Sequence, residues 1–358
     1  MIPLLKDKSY SFAVEIVRLV QYLQQEKKEY VLSKQILKSG TSIGALIHEA
    51  VFAQSDSDYL NKLAVSLKEA NETLYWLNLL RDTDYIHIDL YEKLKAVKAD
   101  QCNLLFIHTD LAGFGIPNAK LKRKEFLGAI YNVLLALKVK TLVFPAFTFS
   151  FPNDEDFSVN DSTAKYMGAL NEYVRKQPGV VRSLDPLMSV IAVGEKAEEF
   201  YKVGKRCMST GGMFDMLHHT LDVKFLFLGA KPTHCFTYAH YVEGVYKVPY
   251  RFEKWFEGNI TDREGNTYKD SYSLLAGCKG IYPAAMLPFE KHMLKNRKYN
   301  KVPLGDGEII CFREKDAYQA MLDALDENIH GFLVKPFTEE DLVQEVKPRN
   351  GQRVVMVP

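Results

Sequence analysis

The sequence carries almost no net charge: 46 lysines and arginines stand against 45 aspartates and glutamates, for a balance of +1. Bulk electrostatics therefore favours neither nucleic acid nor an anionic membrane as a partner. No apolar run approaches the roughly 20 residues that span a bilayer. The five cysteines, Cys102, Cys207, Cys235, Cys278 and Cys311, lack CxxC or any other metal-site spacing. Neither a metal nor a disulfide framework is expected from them. Their odd number, and the absence of a leader-like apolar core in MIPLLKDKSYSF, point to a reducing cytoplasm. No GxGxxG follows a strand-like run and neither GxxxxGKS nor GxxxxGKT occurs, so dinucleotide and P-loop signatures are missing. No Gly/Ser/Pro-rich linker divides the chain.

Proline is also scarce at the start. Pro3 is the one proline before residue 98, and Gly40 and Gly44 are the only glycines there. Apolar residues recur at helical spacing. Phe12 to Leu23 predicts a first helix. Ser33 is placed to cap a second, carrying Ile36, Leu37, Ile43, Leu46 and Ile47. Asp56 or Ser57 starts a third, with Leu60, Leu63, Ala64, Leu67, Ala70, Leu74, Leu77 and Leu80 as its buried stripe. Glycine inside a helix costs about 1 kcal/mol relative to alanine. Gly40 and Gly44 thus imply either a close helix crossing or a kink. His48 and Glu49 read as a surface pair, and Tyr75 and Trp76 as core or interface aromatics.

The segments SGTSIGA, Ser39 to Ala45, and KEANETLYWL, Lys68 to Leu77, resemble the 23S rRNA intervening-sequence four-helix-bundle family. That resemblance implies an all-α up-and-down bundle that assembles into oligomeric rings. The balanced charges here argue against RNA binding. The fourth helix is short in this sequence, with only Leu90 to Val97 available. The expected organisation is a helical module over 1–98, a second domain over 99–335, and a tail over 336–358 with no assigned role. A homo-oligomer formed through the helical module is expected, because three amphipathic helices with a truncated fourth leave an apolar face.

From residue 99 strands and helices alternate, predicting an α/β fold with a layered, mainly parallel sheet. Asn103 to His108 reads as a strand leading into a loop with Gly113 and Gly115. Arg123 to Leu137 reads as a helix, Thr141 to Phe144 as a strand, Tyr166 to Lys176 as a helix, and SVIAV at Ser189 to Val193 as a strand. The intervening loop PAFTFSFPNDEDFS is long, aromatic and polar, the kind that lines sites. Its acidic part, Asp154, Glu155 and Asp156 with nearby Asp161, is either solvated or attractive to a cationic ligand. From Gly305 the sequence reads as a strand and a closing helix. In the tail, TEEDL is a weak helix-start signal and RVVMV a possible strand.

The stretch Lys224 to Glu243, KFLFLGAKPTHCFTYAHYVE, organises this half. A buried strand ends in Gly229, and Thr233 is placed to cap the following helix. Thr237, His240 and Glu243 then share one helix face at i, i+3 spacing. A strand passing to such a helix is where open α/β sheets bind ligands. The pair is either a general base with an orienting carboxylate or an ordinary solvated pair. Cys235 is a rival nucleophile, since a helix N-terminus lowers a thiol pKa.

Four segments resemble the aminoglycoside 3-N-acetyltransferase family: FIHTDLAGFG, LVFPAFTFSF, GVVRSLDPLMSVIAVG and FLGAKPTHCFTYAHYVE. They span most of residues 100–330. The resemblance implies an N-acetyltransferase using acetyl-CoA as co-substrate, no metal, and an amino sugar or aminoglycoside as acceptor. It implies that His240 and Glu243 are catalytic, with Asp185 beside them. It also assigns Thr109, Asp110, Thr148, Arg182, Ser183 and Ser189 to the acetyl-CoA site. Arg182 is read either as a phosphate contact or as the holder of Asp185. Antibiotic-modifying members usually carry His where this sequence has Asp185, and the Asp form resembles members tied to bacterial surface-sugar synthesis. Antibiotic resistance is the less secure implication. The alternative function is an oligomeric helical scaffold with a degenerate acetyltransferase half.

Overall fold

The computed structural model describes residues 2–82, 90–114, 122–164, 167–344 and 354–355. Gly115, Tyr166 and tail residues 345–353 and 356–358, named above, lie outside the described residues. Two units divide the chain, Met1–Ile88 and Asp89–Pro358.

The first unit holds α1 (Ile2–Gln25), α2 (Leu32–Ala50) and α3 (Asp56–Asp82). Helix α1 begins well before Phe12, because proline is tolerated in a first turn, where its missing N–H has no helical partner. Ser33 does not cap α2. The carboxylate of Glu29 does so, accepting the N–H groups of Val31, Leu32 and Ser33 at 2.8, 2.7 and 2.6 Å. Burial pushes that carboxyl up, and the three N–H bonds more than offset this, holding it below the usual carboxylate range.

The α3 stripe also differs from expectation. Leu80 is buried, but Leu60, Leu67 and Leu74 are 64%, 66% and 55% exposed. The inward positions are taken instead by Ser66 and Thr73, whose hydroxyls donate to Ile43 O at 3.2 Å and Ser39 Oγ at 2.9 Å. Small hydroxyl residues let α2 and α3 approach closely and satisfy their own donors, which large leucines could not do. The apolar core of this unit is accordingly small, formed by Ile16, Val20, Leu23, Ile36 and Leu80.

The second unit runs α4 (Leu90–Ala96), β1 (Leu104–Thr109), α5 (Arg123–Ala136), β2 (Thr141–Pro145), β3 (Phe157–Ser158), α6 (Ala169–Arg175), β4 (Val181–Arg182), β5 (Val190–Gly194) and α7 (Met213–His219). It continues with β6 (Val223–Leu228), α8 (Pro232–Cys235), α9 (Tyr238–Tyr246), β7 (Arg251–Thr261), β8 (Thr267–Gly277), α10 (Leu287–Lys295), β9 (Asn300–Leu304), β10 (Gly307–Arg313), α11 (Glu314–Glu327) and β11 (Val354–Val355). The short α4 packs on α5 and β9. Its Leu94 joins Val97 and Ala99 in the core beneath the sheet. The truncated fourth helix is thus part of the α/β unit.

The main sheet has seven strands in the order β4-β5-β2-β1-β6-β10-β9. It is α/β as expected, but mixed. Parallel pairing is confined to β1 with β2 and β6, and the outer pairs are antiparallel. Alternation along β1 feeds two cores: Leu104 and Phe106 enter one, Leu105 and Ile107 the other. A second sheet is built on the long β7–β8 hairpin. The possible strand in RVVMV is observed as β11, where Val354 and Val355 pair antiparallel with Phe256 and Trp255.

A Cβ built on Gly40 would lie 2.8 Å from Ile16 Cγ1, whereas one on Gly44 would lie 3.4 Å from Ser9 O. The glycines therefore mark a close crossing of α1 and α2, and only Gly40 is sterically required. Gly40→Ala should lower the thermal midpoint of the helical unit, since overpacking costs about 1–3 kcal/mol and outweighs the gain in helix propensity. Gly44→Ala should hold or raise it. Thermal unfolding of the full chain followed by circular dichroism checks both, and the opposite ranking would contradict the crossing.

Candidate active site

The residues His240 and Glu243 arrive on α9 by a route with one break. Strand β6 ends at Leu228 and the chain turns at Gly229, which has a φ of +76°. A Cβ there would meet Asp110 O at 2.2 Å, so the turn requires glycine. The helix predicted from Thr233 onward is two helices. Phe236 leaves helical geometry with φ −81° and ψ 77°. Its ring is driven into the core against Phe225, Phe227, Phe289 and Phe312. Thr233 lies inside α8 and its hydroxyl meets His234 Nδ1 at 2.8 Å, so it is not the cap. Thr237 occupies the cap position of α9, without a side-chain cap bond.

Within α9, His240 Nδ1 lies 2.7 Å from Glu243 Oε2. A carboxylate only accepts, so Nδ1 carries a proton, and in the neutral ring the lone pair is on Nε2. The Glu243 side chain is 3% exposed and that of His240 24%. Two further groups converge on the carboxylate. The hydroxyl of Tyr250 donates to Oε1 at 3.0 Å. Arg251 Nε lies 2.5 Å from Oε2, an ion pair whose angle is not that of a hydrogen bond. Burial would raise the Glu243 carboxyl; the His240 bond, the Arg251 charge and the Tyr250 bond outweigh it and leave it lowered. Burial and the neighbouring Glu243 charge push the Tyr250 phenol up, keeping it a donor.

Tyr250 and Arg251 were not legible as site residues. They follow the turn after α9, at the start of β7, where no helical or strand period links them to Glu243. The adjacent Tyr–Arg pair opening a strand after a His–Glu helix was the only available signal.

Asp185 joins a different cluster. Its Oδ1 accepts Leu187 N–H and Met188 N–H at 2.8 and 2.9 Å. Burial pushes its carboxyl up, with the Cys207 thiol beside it. The carboxylate thus shapes the loop between β4 and β5. Arg182 does not hold Asp185. Its guanidinium is 5% exposed and donates to the carbonyls of Val159, Ser162 and Ala146 and to Ser189 Oγ. Those acceptors, and not Asp185, take its Nη groups. Ser183 Oγ accepts Val190 N–H at 3.0 Å, Ser189 Oγ donates to Ala146 O at 2.5 Å, and Thr148 Oγ1 donates to Pro186 O at 2.8 Å. The Ser189 and Thr148 hydroxyls knit the loops after β2 and β4 together, and that of Ser183 closes the β4–β5 loop on itself. Thr109 and exposed Asp110 stand at the end of β1, where Thr109 Oγ1 donates to Asn171 Oδ1 at 2.9 Å.

Cys235 is not an activated nucleophile. It closes α8 instead of opening it, and burial, reinforced by the Asp110 charge, pushes its thiol up to about 12. Acidic Asp156 accepts from Asn259 of β7, and Asp161 from Ser158. A hollow of about 600 Å³ lies elsewhere, against Tyr201, Arg263 and Glu264 near the hairpin tip, and His240 does not line it. Among the described residues, no group of three or more His, Cys, Asp and Glu side chains is arranged to hold a metal. No helix among them is long and apolar enough to cross a membrane.

Comparison with known proteins also finds two regions. The sequence matches the family described as aminoglycoside 3-N-acetyltransferase over residues 123–326, and the 23S rRNA-intervening sequence protein family over residues 5–105. No curated protein matches it. Among solved structures, the aminoglycoside acetyltransferase AAC(3)-Xa is 20% identical, over 70% of this chain and 96% of its own, with a TM-score of 0.56. The YokD protein from Bacillus subtilis is 19% identical over 67% and 98%, with a TM-score of 0.53. AAC-IIIb, solved as a binary complex with CoASH, is 17% identical over 69% and 97%, with a TM-score of 0.54. At these identities the likeness is one of fold. With its family match covering more than half of the sequence and its α/β unit folded as these enzymes are, the chain belongs to the aminoglycoside 3-N-acetyltransferase family, an acyltransferase preceded by a 23S rRNA-intervening-sequence region.

Proposed function

We propose that the protein moves an acetyl group from acetyl-CoA to an amine of an amino sugar, with His240 as general base. The observation that carries this reading is the buried Glu243 carboxylate holding His240 Nδ1 at 2.7 Å, which leaves Nε2 as the basic nitrogen on a partly exposed ring. The donor and acceptor classes draw support from the family itself and from two of its structures. AAC-IIIb was solved with CoASH, and AAC-VIa with sisomicin.

The acceptor amine first loses one proton to solvent, since it arrives as an ammonium ion. Its nitrogen then attacks the thioester carbonyl while a second proton passes to His240 Nε2. The tetrahedral intermediate collapses, the C–S bond breaks, and the CoA thiolate takes the proton back from the imidazolium. Glu243 supports that cation without being protonated. The raised Cys235 thiol favours direct attack over an acetyl-cysteine intermediate. Thr109 and Asp110, at the open end of β1, are suited to touch the donor. Asp185, Arg182, Ser183, Ser189 and Thr148 serve by fixing the loops around it. A scaffold with a degenerate catalytic half is disfavoured, because the His240–Glu243–Tyr250–Arg251 set is complete.

His240→Ala should lower kcat by a factor of roughly 10² to 10⁴, the usual worth of a general base, with the fold intact. Acetyl-CoA turnover against a panel of amino sugars measures this, and near wild-type rates would remove His240 from the mechanism. Glu243→Gln should cost less in rate and move the acid limb of the pH–rate profile to lower pH, since an amide no longer favours the imidazolium. The same variant tests the linkage. A lowered carboxyl stabilises the fold fully above its ordinary range, near 4.5, and loses that contribution as pH falls through its folded value. The stability gap between wild type and Glu243→Gln should thus be widest at neutral pH and close in acid. A gap independent of pH would contradict the ionised assignment.

A homo-oligomer through the helical unit is part of this proposal. Leu60, Leu67 and Leu74 form an exposed stripe at seven-residue spacing along α3, with exposed Tyr75 beside it. Burial of such side chains is worth about 25 cal/mol per Å². Replacing all three leucines with glutamate in the full chain should lower the mass measured by light scattering to that of the monomer. An unchanged mass would assign assembly to another surface.

A further inference from the structure

The face of α9 turned away from His240 is tied down by phenol–carboxylate bonds. Tyr238 donates its hydroxyl to Glu314 Oε1, and Tyr241 donates to Asp215 Oδ1 at 2.8 Å. A third bond runs from Tyr246 to Asp326 Oδ1 at 2.9 Å. The three acceptors lie on the neighbouring helices α7 and α11. Of these, Glu314 is the most enclosed, with a side chain 1% exposed. The same oxygen that receives Tyr238 also receives His218 Nδ1 from α7, at 2.7 Å. Lys315 closes the outer side, its Nζ donating to His218 O at 2.6 Å and lying 3.7 Å from Glu314 Oε2. The ring of Tyr318 covers His218 with centroids 4.2 Å apart.

Glu314 is therefore a single buried anion that joins three helices. It opens α11, where the positive end of the helix favours a negative charge. Burial first, and then the charge of Glu314, push the Tyr238 phenol up, so its hydroxyl remains a donor. Tyr238 is the first residue of α9, and His240 follows two residues later. Loss of the anchor frees the start of that helix at the point where the base is mounted.

We propose that Glu314 is a positioning residue for acetyl transfer, holding α9 through Tyr238 so that His240 Nε2 points at the acceptor amine. This rests on His240 being the general base. Misplacing a catalytic group by about 1 Å can cost on the order of 10²-fold in rate without changing substrate affinity. Neither Glu314 nor Tyr238 touches the reacting atoms in this assignment.

The test uses the full-length enzyme and a double-mutant cycle. Glu314→Leu should lower kcat roughly 10-fold to 10²-fold, with both KM values changed less than about twofold. Glu314→Gln, which keeps an acceptor for Tyr238, should restore most of that loss. The decisive arm is the His240→Ala background. There Glu314→Leu should leave the residual rate unchanged, because a residue acting through His240 has nothing left to position. If Glu314→Leu lowers the rate by the same factor in both backgrounds, or only in proportion to the folded fraction, Glu314 is structural and the proposal falls. Should Glu314→Leu fail to fold, Tyr238→Phe removes one hydroxyl while keeping the ring, and carries the same comparison. If His240→Ala itself keeps the wild-type rate, the general-base reading fails, an outcome distinct from equal effects in an impaired background.

Discussion

The α/β unit depends on one buried anion. Taking a carboxylate out of water costs several kcal/mol, and that cost is tolerated only when enough donors replace the lost hydration. Glu243 has two donors and a cation, each from a different part of the chain: His240 from its own helix, Tyr250 from the turn beyond it, and the charge of Arg251 from the first residue of β7. The carboxylate therefore fixes more than the tautomer of His240. It anchors the long β7–β8 hairpin to α9, so the second sheet and the helix that carries His240 share one electrostatic joint. Removal of any donor would leave charge or lone pairs unsatisfied in the interior, which costs more than the bond itself is worth.

That joint works only because α9 starts where it does. A single helix running from Pro232 to Tyr246 would rotate His240 and Glu243 continuously with α8. The break at Phe236 uncouples the two. Aromatic packing selects the break: the Phe236 ring stacks on Phe289 with centroids 5.2 Å apart and meets Phe225 edge-on at 5.0 Å. Burying an aromatic ring of that size outweighs the helical hydrogen bonds that the break gives up. Gly229 acts earlier on the same path, letting β6 turn against the backbone of Asp110.

Much of this was legible where a period was involved. The i, i+3 spacing of His240 and Glu243 is a property of any helix, and the strand before it is an unbroken apolar run. The alternation of strands and helices gave the α/β class. Polar side chains were harder to read, because a polar residue type does not say whether it faces a ligand or its own backbone. Arg182, Ser183, Ser189 and Thr148 were read as ligand contacts, and the structure shows them bonded to carbonyls and an amide of neighbouring loops. Ser33 looked like a cap, yet Glu29 reaches the same N–H groups with a charged acceptor, the stronger partner. In α3 the pattern misled in the opposite sense. Leucine at every seventh residue suggested an inward stripe, while Ser66 and Thr73 took the inward face because α2 lies too close for larger side chains. Tyr250 and Arg251 were out of reach for a different reason: a turn separates them from Glu243, and a turn resets every period.

Distance alone does not assign a role to a His–carboxylate pair. His218 and Glu314 lie 2.7 Å apart, as do His240 and Glu243, and in both pairs the acid is buried and the ring partly exposed. The difference lies in what else the acid holds. Glu243 is flanked by the cationic Arg251, and its remaining partner, Tyr250, lies beyond its own helix. Glu314 spends the oxygen that meets His218 on Tyr238 as well, and so divides its hold between two helices. In Glu314 one oxygen takes both the ring and the phenol, whereas in Glu243 the phenol goes to Oε1 and Oε2 is left to the ring and the guanidinium. A carboxylate backed by a guanidinium keeps its charge available to a neighbouring imidazolium. Roles within such pairs therefore follow from the third and fourth partners of the acid, and the same helix, α9, draws on both arrangements at once.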